Sequence, residues 1–300
     1  MSGRLIRLLG STAAATLVAL AGCRAREAPR DHALVVVDDA GDTVRLAGPA
    51  RRIVSLIPAT TELLFAIGAG PDLVGRTRWC DFPAEAAAVP DVGDGMTPNL
   101  EAVAATRPDL VVLYNSGQNG TAAERLRALG IPAVRVRSDL LADVPRLARL
   151  LGTLTDRRDA AESLSVAFDS SLAAATVPAA NRRPSVFLLV WDQPPMTVGK
   201  GSYLSELLER AGAVNAYADL PTSSGQISIE SVAERNPDLV FTMNAGAPAF
   251  AGRPEWQRIP AIRERRFVHA PGSEFSRPSP RAPAAIRTLS ARIAEASAPR

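Results

Sequence analysis

A stretch of 13 residues occurs twice in this chain. Residues 100–112 and 229–241 are identical at seven of the 13 aligned positions. Each copy has a helical pattern, then Pro-Asp, then an apolar run typical of a buried strand. A second, shorter pair of segments reads Thr-Glu-Leu-Leu at residues 61–64 and Ser-Glu-Leu-Leu at residues 205–208. In each half of the chain the shorter segment precedes the longer one. The chain is therefore predicted to hold two similar α/β lobes.

The first lobe shows the strand-then-helix pattern of α/β proteins. An apolar strand at residues 53–57 leads directly into a helix that begins at Pro58. We expect a threonine to cap this helix, Glu62 to lie in its favourable first turn, and Gly68 to end it. Further strands are predicted at residues 34–37, 43–46, 73–75, 110–114, 133–136, 185–190, 239–243 and 267–269, and further helices at residues 100–106, 121–129, 203–211, 229–235 and 281–294.

A single long helix is predicted between the lobes, from Asp156 to Val177. Asp156 is suited to cap its start, and Pro178 ends it. The apolar stripe consists of Ala160, Leu164, Phe168, Leu172 and Ala175. Such a helix is about 30 Å long and permits only a small hinge motion.

The predicted fold is therefore two Rossmann-like lobes with parallel-type sheets, joined by one long α-helix. The predicted boundaries are residues 34–152 for the N-terminal lobe, 153–178 for the linker helix and 179–300 for the C-terminal lobe. Small ligands bind preferentially in clefts between domains. We expect the ligand site in the cleft between the two lobes.

The first 22 residues have the pattern of an export signal. Arg4 and Arg7 precede a short apolar stretch, which is too short for a membrane span. The sequence Leu-Ala-Gly-Cys at residues 20–23 resembles the lipobox of bacterial lipoproteins, which implies lipidation of Cys23. Residues 23–33 then form a tether, and the protein is expected to be exported, periplasmic or at the cell surface, and anchored to a membrane. An ordinary secretory signal is the alternative.

The composition argues against nucleic acid as a partner. The full chain has 34 Lys and Arg against 31 Asp and Glu, and removal of Arg4 and Arg7 leaves 32 against 31. No run of like charges occurs. With Cys23 lipidated, Cys80 has no partner for an internal disulfide, and we expect it to be a buried thiol. The chain is expected to act as a monomer.

An exported enzyme is the competing class. His32 and His269 are the only histidines, and His32 lies in the predicted tether. The sequence contains no Gly-x-Ser-x-Gly elbow and no His-Glu-x-x-His motif. A zinc-type site needs several converging His, Asp and Glu residues. We therefore predict no catalytic residue, no metal site and no cofactor.

Residues 51–68, Val74-Gly75 and the Trp-Cys-Asp-Phe-Pro sequence at 79–83 resemble the first lobe of the helix-backbone (class III) substrate-binding proteins of ABC transporters. The resemblance is greatest to the periplasmic cobalamin-binding proteins, and it continues through residues 194–200 and 277–281. It implies capture of a corrinoid, either cobalamin or a precursor, for a transmembrane permease. Iron-siderophores and haem are alternative ligands in the same class. A receptor that reports to a sensor is a further alternative.

The resemblance also implies a permease docking surface. In the family, one surface glutamate per lobe pairs with arginines of the permease, and Glu101 and Glu230 match those positions. Asn99 and Ser228 are predicted N-caps, which places each glutamate in a first helical turn. The simpler alternative is that the helix N-terminus favours negative charge there.

For the ligand site, Trp79 matches the aromatic residue that packs on the ligand in cobalamin-binding proteins. Trp191 and Met196 are predicted to form the facing wall, since they follow the first strand of the second lobe. Tyr114 lies at the end of another strand, while Phe275 and Arg277 match a ligand-contacting loop of the family. For each of these residues the alternative is a role without a ligand: packing in the core, turning the chain, or pairing with a charge on the surface.

The chain departs from the cobalamin-binding pattern at three positions. Gly95 and Ser224 stand where those proteins have tryptophans, and Ser273 stands where they have an acidic residue. The pocket is therefore expected to be wider or more polar than theirs.

Overall fold

The computed structural model describes residues 34–178, 181–243, 246 and 248–298. The predicted signal segment, Cys23, the tether and His32 lie outside these residues. The described chain opens with an antiparallel hairpin of β1 (Leu34–Val37) and β2 (Thr43–Leu46), as predicted. Among the described residues, no helix combines the length and apolar character that a membrane span requires.

The first lobe is a four-stranded parallel sheet with helices. Its elements are β3 (Ile53–Ser55), α1 (Pro58–Ala66), β4 (Leu73–Arg76), α2 (Leu100–Ala105), β5 (Leu110–Tyr114), α3 (Gly117–Ala128), β6 (Ala133–Val136) and α4 (Asp143–Thr155). The strand order is β4-β3-β5-β6. Helix α3 begins four residues before the predicted start, because the Ser116 hydroxyl caps it by accepting from Asn119 N at 3.2 Å.

The helix that follows differs from the prediction at its start. Helix α5 runs from Arg158 to Ala175, and Asp156 does not cap it. Asp156 adopts a left-handed conformation, with a φ of 58°, and ends α4 instead. The predicted helix from Asp156 to Val177 therefore corresponds to α5 alone, which begins two residues later, and the preceding helix α4 was not predicted.

The buried stripe of α5 also starts one position later than predicted. Ala160 is exposed, whereas Ala161 and Ser165 are buried together with the predicted Phe168. Helix α4 sets this phase, because Gly152 allows α5 to approach closely. A Cβ atom at Gly152 would lie 2.4 Å from the Cβ of Ala161.

The second lobe repeats the first. Its elements are β7 (Ser185–Leu189), β8 (Trp191–Asp192), β9 (Pro195–Val198), α6 (Tyr203–Arg210), β10 (Val214–Asn215), β11 (Ser224–Gln226), α7 (Ile229–Arg235), β12 (Leu239–Thr242), α8 (Pro260–Arg263), β13 (Phe267–His269) and α9 (Ala282–Ser297). The parallel sheet has the order β10-β7-β12-β13. A small antiparallel sheet, β11-β9-β8, was not predicted from the sequence.

The two parallel sheets place equivalent strands in equivalent positions. The repeated segments correspond to α2 with β5 and to α7 with β12, and the shorter repeat lies in α1 and α6. Gly68 and Gly212 follow these two helices with φ angles of 79° and 93°, a conformation that glycine adopts without strain. The two-lobed α/β fold with parallel sheets is confirmed.

One apolar core extends through both lobes. It includes Leu63 of α1, Leu151 of α4, Phe168 of α5, Leu208 of α6 and Ile286 of α9. Helix α5 packs against α4 on one side and against α9 on the other. Because relative motion of the lobes would disturb this shared packing, the core holds them in a defined arrangement.

Candidate functional site

A cleft lies between the lobes at the carboxyl ends of their parallel strands. It consists of two adjoining cavities of 570 and 400 Å³, and Ser138, Met243 and Ser276 line both. The first lobe contributes Ile57, Pro58, Arg78, Trp79, Tyr114 and Asp139, and the second contributes Val190, Val198, Tyr203, Ser273, Phe275 and Arg277. This position is where α/β folds bind small ligands.

A larger hollow of 750 Å³ lies elsewhere, at the amino ends of β12 and β13. Its lining is charged and includes Arg182, Asp238, Glu264 and Arg266. The carboxylate of Asp238 is occupied by structural contacts, since one oxygen accepts hydrogen bonds from the backbone N and the hydroxyl of Ser185. Because it lies at the opposite edge of the sheet from the strands' carboxyl ends, this hollow is not the candidate site.

Trp79 presents its indole to solvent at the edge of the cleft. The side chain follows β4 and is 61% exposed, so it does not cover the core of its own lobe. Its Nε1 donates to Oδ2 of Asp94 at 3.4 Å. Asp94 also accepts from Met96 N at 2.7 Å, and these hydrogen bonds, that of Met96 foremost, lower the pKa of Asp94. An exposed indole of this kind offers a broad apolar face to a ligand.

Trp191 is the equivalent feature of the second lobe. It is 63% exposed, and in the antiparallel sheet it lies directly opposite Met196. Met196 and Val198 alternate along β9 and so share one face of that sheet. Val198 lines the cleft. Trp191 and Met196 lie on the same face of the sheet as Val198, so they continue this surface beyond the edge of the cleft. The third tryptophan, Trp256, is fully buried in the second lobe.

Two tyrosines line the cleft through their phenols. Tyr114 donates to Oδ1 of Asp139 at 2.8 Å, and burial together with this carboxylate raises the pKa of Tyr114 to about 12. Tyr203 donates to the carbonyl oxygen of Glu274 at 2.7 Å, and burial raises its pKa as well. Sequence reasoning missed Tyr203, because it is the first residue of a helix and its position alone gives no sign of a cleft.

Phe275 has two roles in the structure. Its side chain is only 1% exposed and belongs to the apolar core, yet it also lines the cleft wall. It comes from a short 3₁₀ turn, residues 273–275, that leads toward α9. Core packing therefore fixes the position of the Phe275 side chain, whether or not a ligand contacts it.

The guanidinium of Arg277 is fully engaged with protein atoms. Its Nε donates to Oε1 of Glu62 at 2.8 Å, and its Nη1 donates to the carbonyl oxygen of Trp79 at 3.1 Å. Its Nη2 donates to Asp81 Oδ1, and to Ser273 Oγ at 3.1 Å. Three of these partners belong to the first lobe, so Arg277 joins the two lobes at the cleft.

The position of Glu62 corrects a prediction. It is the fifth residue of α1 rather than part of the first turn, and it is 2% exposed. Arg281 completes its pairing through Nε to Oε2 at 2.9 Å and Nη2 to Oε1 at 2.7 Å. A buried carboxylate requires such partners, because an unpaired charge in the interior is costly.

The predicted threonine cap of α1 is also wrong. The N-cap residue is Ile57, whose side chain has no polar group, and Pro58 follows it. The hydroxyls of Thr60 and Thr61 instead donate back to the carbonyl oxygen of Ile57, at 2.9 and 3.3 Å. Thr61 also donates to the sulfur of Cys80 at 3.1 Å. Cys80 is a buried free thiol, as expected.

Glu101 and Glu230 occupy equivalent positions in α2 and α7, and both are exposed. The predicted caps are confirmed. Asn99 Oδ1 accepts from Glu101 N at 3.1 Å, and Ser228 Oγ accepts from Ser231 N at 3.1 Å. Within the described ranges, neither glutamate carboxylate forms an ion pair, so both are available to a partner.

Two of the departures from the cobalamin-binding pattern have local explanations. A Cβ at Gly95 would lie 2.1 Å from the carbonyl oxygen of Leu56, so no side chain fits there. Ser273 Oγ accepts from both Arg277 and Arg281 at 3.1 Å. Within the part of the chain that the structure describes, no group of three or more His, Cys, Asp and Glu is arranged to hold a metal.

The sequence model of the family described as periplasmic binding protein matches residues 53–274. The chain belongs to this family, whose members are non-enzymatic transport components. With its two lobes and cleft, it is the substrate-binding component of an ABC importer of the helix-backbone class. The alternative of an exported enzyme, such as a hydrolase, is thereby excluded.

Three similar proteins show the company of this chain, and two of them are named for a ligand. The chain is 28% identical over 254 residues to the vitamin B12-binding protein of Pectobacterium atrosepticum, covering 82% of this chain and 89% of the relative. It is 30% identical over 258 residues to the uncharacterized ABC transporter substrate-binding lipoprotein YvrC of Bacillus subtilis, covering 82% and 81%. The structure of the periplasmic heme-binding protein BhuT with two hemes has a TM-score of 0.74 at 25% identity, covering 84% of this chain and 100% of BhuT.

Proposed function

We propose that this protein captures a corrinoid, cobalamin or a precursor, in the cleft between its lobes and delivers it to the permease of an ABC importer. The observation that carries the proposal is the pair of exposed indoles, one on each lobe, of Trp79 and Trp191. A large planar ligand is bound through broad aromatic faces with few polar contacts. The proposed contact surface consists of Trp79, Tyr114, Trp191, Met196 and Phe275, and Arg277 lies beside it.

The polar groups of the cleft favour a corrinoid over haem. Haem iron takes an axial ligand from the protein, commonly His or Tyr, Cys or Met. The cleft lining contains no histidine among the described residues, so Met243, which lines both cavities, lacks the histidine that accompanies a methionine ligand in cytochromes c. The phenol of Tyr114 stays protonated, because its pKa is about 12 and it donates to Asp139. Cobalamin, in contrast, brings its own axial ligands and needs none from the protein.

A ferric siderophore is the second ligand class to consider, since many carry net negative charge that must be balanced. Arg277 supplies no free cation for this purpose, because it is already paired with Glu62 and Asp81, which leaves the exposed Arg78 as the other arginine of the cleft lining. The vitamin B12-binding relative supports a corrinoid further, since the similarity to it covers 82% of this chain.

The test of the ligand is a spectroscopic titration of the purified protein, without residues 1–23, against cyanocobalamin, cobinamide, haemin and a ferric hydroxamate siderophore. Each of these compounds absorbs visible light, so one instrument compares them all. We expect saturable one-to-one binding of cyanocobalamin or cobinamide at micromolar concentration or below. Tighter binding of haemin or the siderophore than of both corrinoids would contradict the proposal.

The state of Tyr114 gives a separate prediction. Its folded pKa of about 12 lies above the usual value of 10.0, so the neutral phenol stabilises the fold below pH 10. This contribution is lost as the pH rises through 12. In a spectrophotometric titration at 295 nm, the difference between the wild type and Tyr114→Phe is expected to show one phenol that titrates near pH 12. A difference curve with a midpoint near pH 10 would contradict the assigned hydrogen bond.

We further propose that Glu101 and Glu230 are the docking groups for the permease. Their exposure, their equivalent places in the repeat and their lack of ion pairs within the described ranges support this role. For the N-terminus we propose an export signal of residues 1–22 and lipidation of Cys23, which would anchor the protein to a membrane. The name of the Bacillus relative, a lipoprotein, supports the anchor.

A further inference from the structure

We propose that Arg277 is a positioning residue that fixes the Trp79 loop, residues 79–81 of the first lobe, and so sets the orientation of the indole in the cleft. The proposal rests on the proposed role of Trp79 as a ligand-contacting wall. It assigns Arg277 to a contact between the lobes rather than to a contact with the ligand.

The geometry ties the loop at both of its ends. The Nη1 of Arg277 donates to the carbonyl oxygen of Trp79 at 3.1 Å, and its Nη2 donates to the carboxylate of Asp81. Between these two contacts, Cys80 is buried and its sulfur accepts from the hydroxyl of Thr61. The indole itself has a weaker restraint, the 3.4 Å hydrogen bond to Asp94. The loop backbone also has hydrogen bonds within its own lobe, from Cys80 N to the Thr77 carbonyl and from Asp81 N to the Trp79 carbonyl, each at 3.1 Å. Arg277 adds the contacts from the opposite lobe, one at each end of the loop.

Arg277 is in turn held rigidly. Its side chain is 13% exposed, and its Nε donates to the fully buried carboxylate of Glu62. Arg281 donates twice to the same carboxylate. Because a guanidinium presents its donors in a fixed fork, one pairing with Glu62 dictates where the other nitrogens point. Glu62 thus orients Arg277 toward the Trp79 loop.

The sequence repeat supports a role of this cluster in holding the lobes together. Glu62 of α1 is equivalent to Glu206 of α6, since each is the glutamate of the shorter repeat. Glu206 also reaches the other lobe, where its Oε2 accepts from Leu141 N at 2.7 Å. Both contacts are made with the loop that follows the last strand of the opposite parallel sheet. Only the Glu62 contact continues, through Arg277, to an exposed tryptophan.

The test uses two variants of the contact. Arg277→Lys keeps a positive charge beside Glu62, but its single ammonium cannot reach Glu62, the Trp79 carbonyl and Asp81 together. Asp81→Asn removes only the charge at the end of the loop. We expect the dissociation constant for cyanocobalamin to rise roughly tenfold for Arg277→Lys and roughly threefold for Asp81→Asn, with a faster dissociation rate.

A second readout needs no ligand. In a Trp191→Phe background, Trp79 is the exposed tryptophan and Trp256 stays buried. The accessibility of the Trp79 indole to acrylamide, and its emission maximum, are expected to change in both loop variants. The matched control is Glu274→Gln, which removes the 2.9 Å ion pair to Arg281 in the same cluster but does not contact the loop. It is expected to behave as the wild type in both measurements.

A double-mutant cycle separates positioning from direct ligand contact. In a Trp79→Ala background, Asp81→Asn and Arg277→Lys are expected to change the affinity less than twofold, because no indole remains to be positioned. An equal loss of affinity in that background, or wild-type affinity and quenching in both single variants, would overturn the proposal. If the wild type binds no corrinoid but the quenching changes as expected, the proposed ligand fails and the positioning role stands.

Discussion

Replacing both Glu101 and Glu230 by arginine is expected to abolish ligand uptake while ligand affinity stays at the wild-type value. The two side chains are exposed, one on each lobe, and neither lines the cleft. If they pair with arginines of the permease, the double substitution puts like charges face to face at two places. Like-charge contacts at an interface cost several kcal/mol, so we expect uptake to fall by at least about a hundredfold.

The measurement is uptake of radiolabelled ligand into vesicles that contain the permease and ATPase, together with the dissociation constant of the same protein. The matched control is Glu85→Arg with Glu209→Arg, which makes the same change in net charge at exposed glutamates outside α2 and α7. It is expected to leave uptake unchanged. The fold is expected to persist in the test variant, since a first-turn charge contributes about 0.3–1 kcal/mol.

The uptake experiment tests the docking role of the two glutamates directly. A receptor that reports to a sensor has no reason to need these two glutamates together. Normal uptake by the Glu101→Arg, Glu230→Arg variant would show that the docking assignment is wrong. A loss of ligand affinity in this variant would instead point to a distorted fold.

Replacing Trp79 by alanine is expected to weaken ligand binding roughly thirtyfold, which corresponds to about 2 kcal/mol. The indole is an aromatic anchor at the edge of the cleft, and such residues carry much of the energy of an interface. Because Trp79 is 61% exposed, its removal creates no cavity in the core. The thermal midpoint is therefore expected to remain close to the wild-type value.

The affinity of Trp79→Ala is measured by the same visible-light titration. Trp79→Phe, which keeps an aromatic face, is expected to recover part of the affinity. Leu129→Ala is the surface control, since Leu129 is 63% exposed and lies at the end of α3, away from the cleft. An unchanged dissociation constant for Trp79→Ala would remove this residue from the site.

The local sequence pattern was sufficient to predict most helices and strands of the fold. The strands at residues 110–114, 133–136 and 267–269 have the bounds predicted from their apolar runs. The caps at Asn99 and Ser228 were also predictable, because capping depends on residues only two or three positions apart. The antiparallel sheet of β8, β9 and β11 was not, since its strands of two to four residues are too short to show a period.

The residues of the candidate site also fall into two groups, those that the sequence predicted and those that only the structure revealed. The exposure of Trp79 and Trp191 fits the predicted binding role, but a sequence does not show which side of a loop faces solvent. Glu62 is the clearest example of a role that the sequence did not reveal, because its short distance from Pro58 in the sequence predicted only a place in the first turn of a helix. In the structure its partners are Arg277 and Arg281, more than 200 positions further along the chain.

By itself, the sequence determined the repeat, the α/β class, the family and the first-turn positions of Glu101 and Glu230. These follow from periodicity, capping and local identity, which act over a few neighbouring residues. The tertiary structure alone decided that Asp156 ends one helix instead of starting another, and that Glu62 and Arg277 join the lobes beside Trp79. Those outcomes depend on close packing and on pairing of buried charge between distant segments, which no local pattern records.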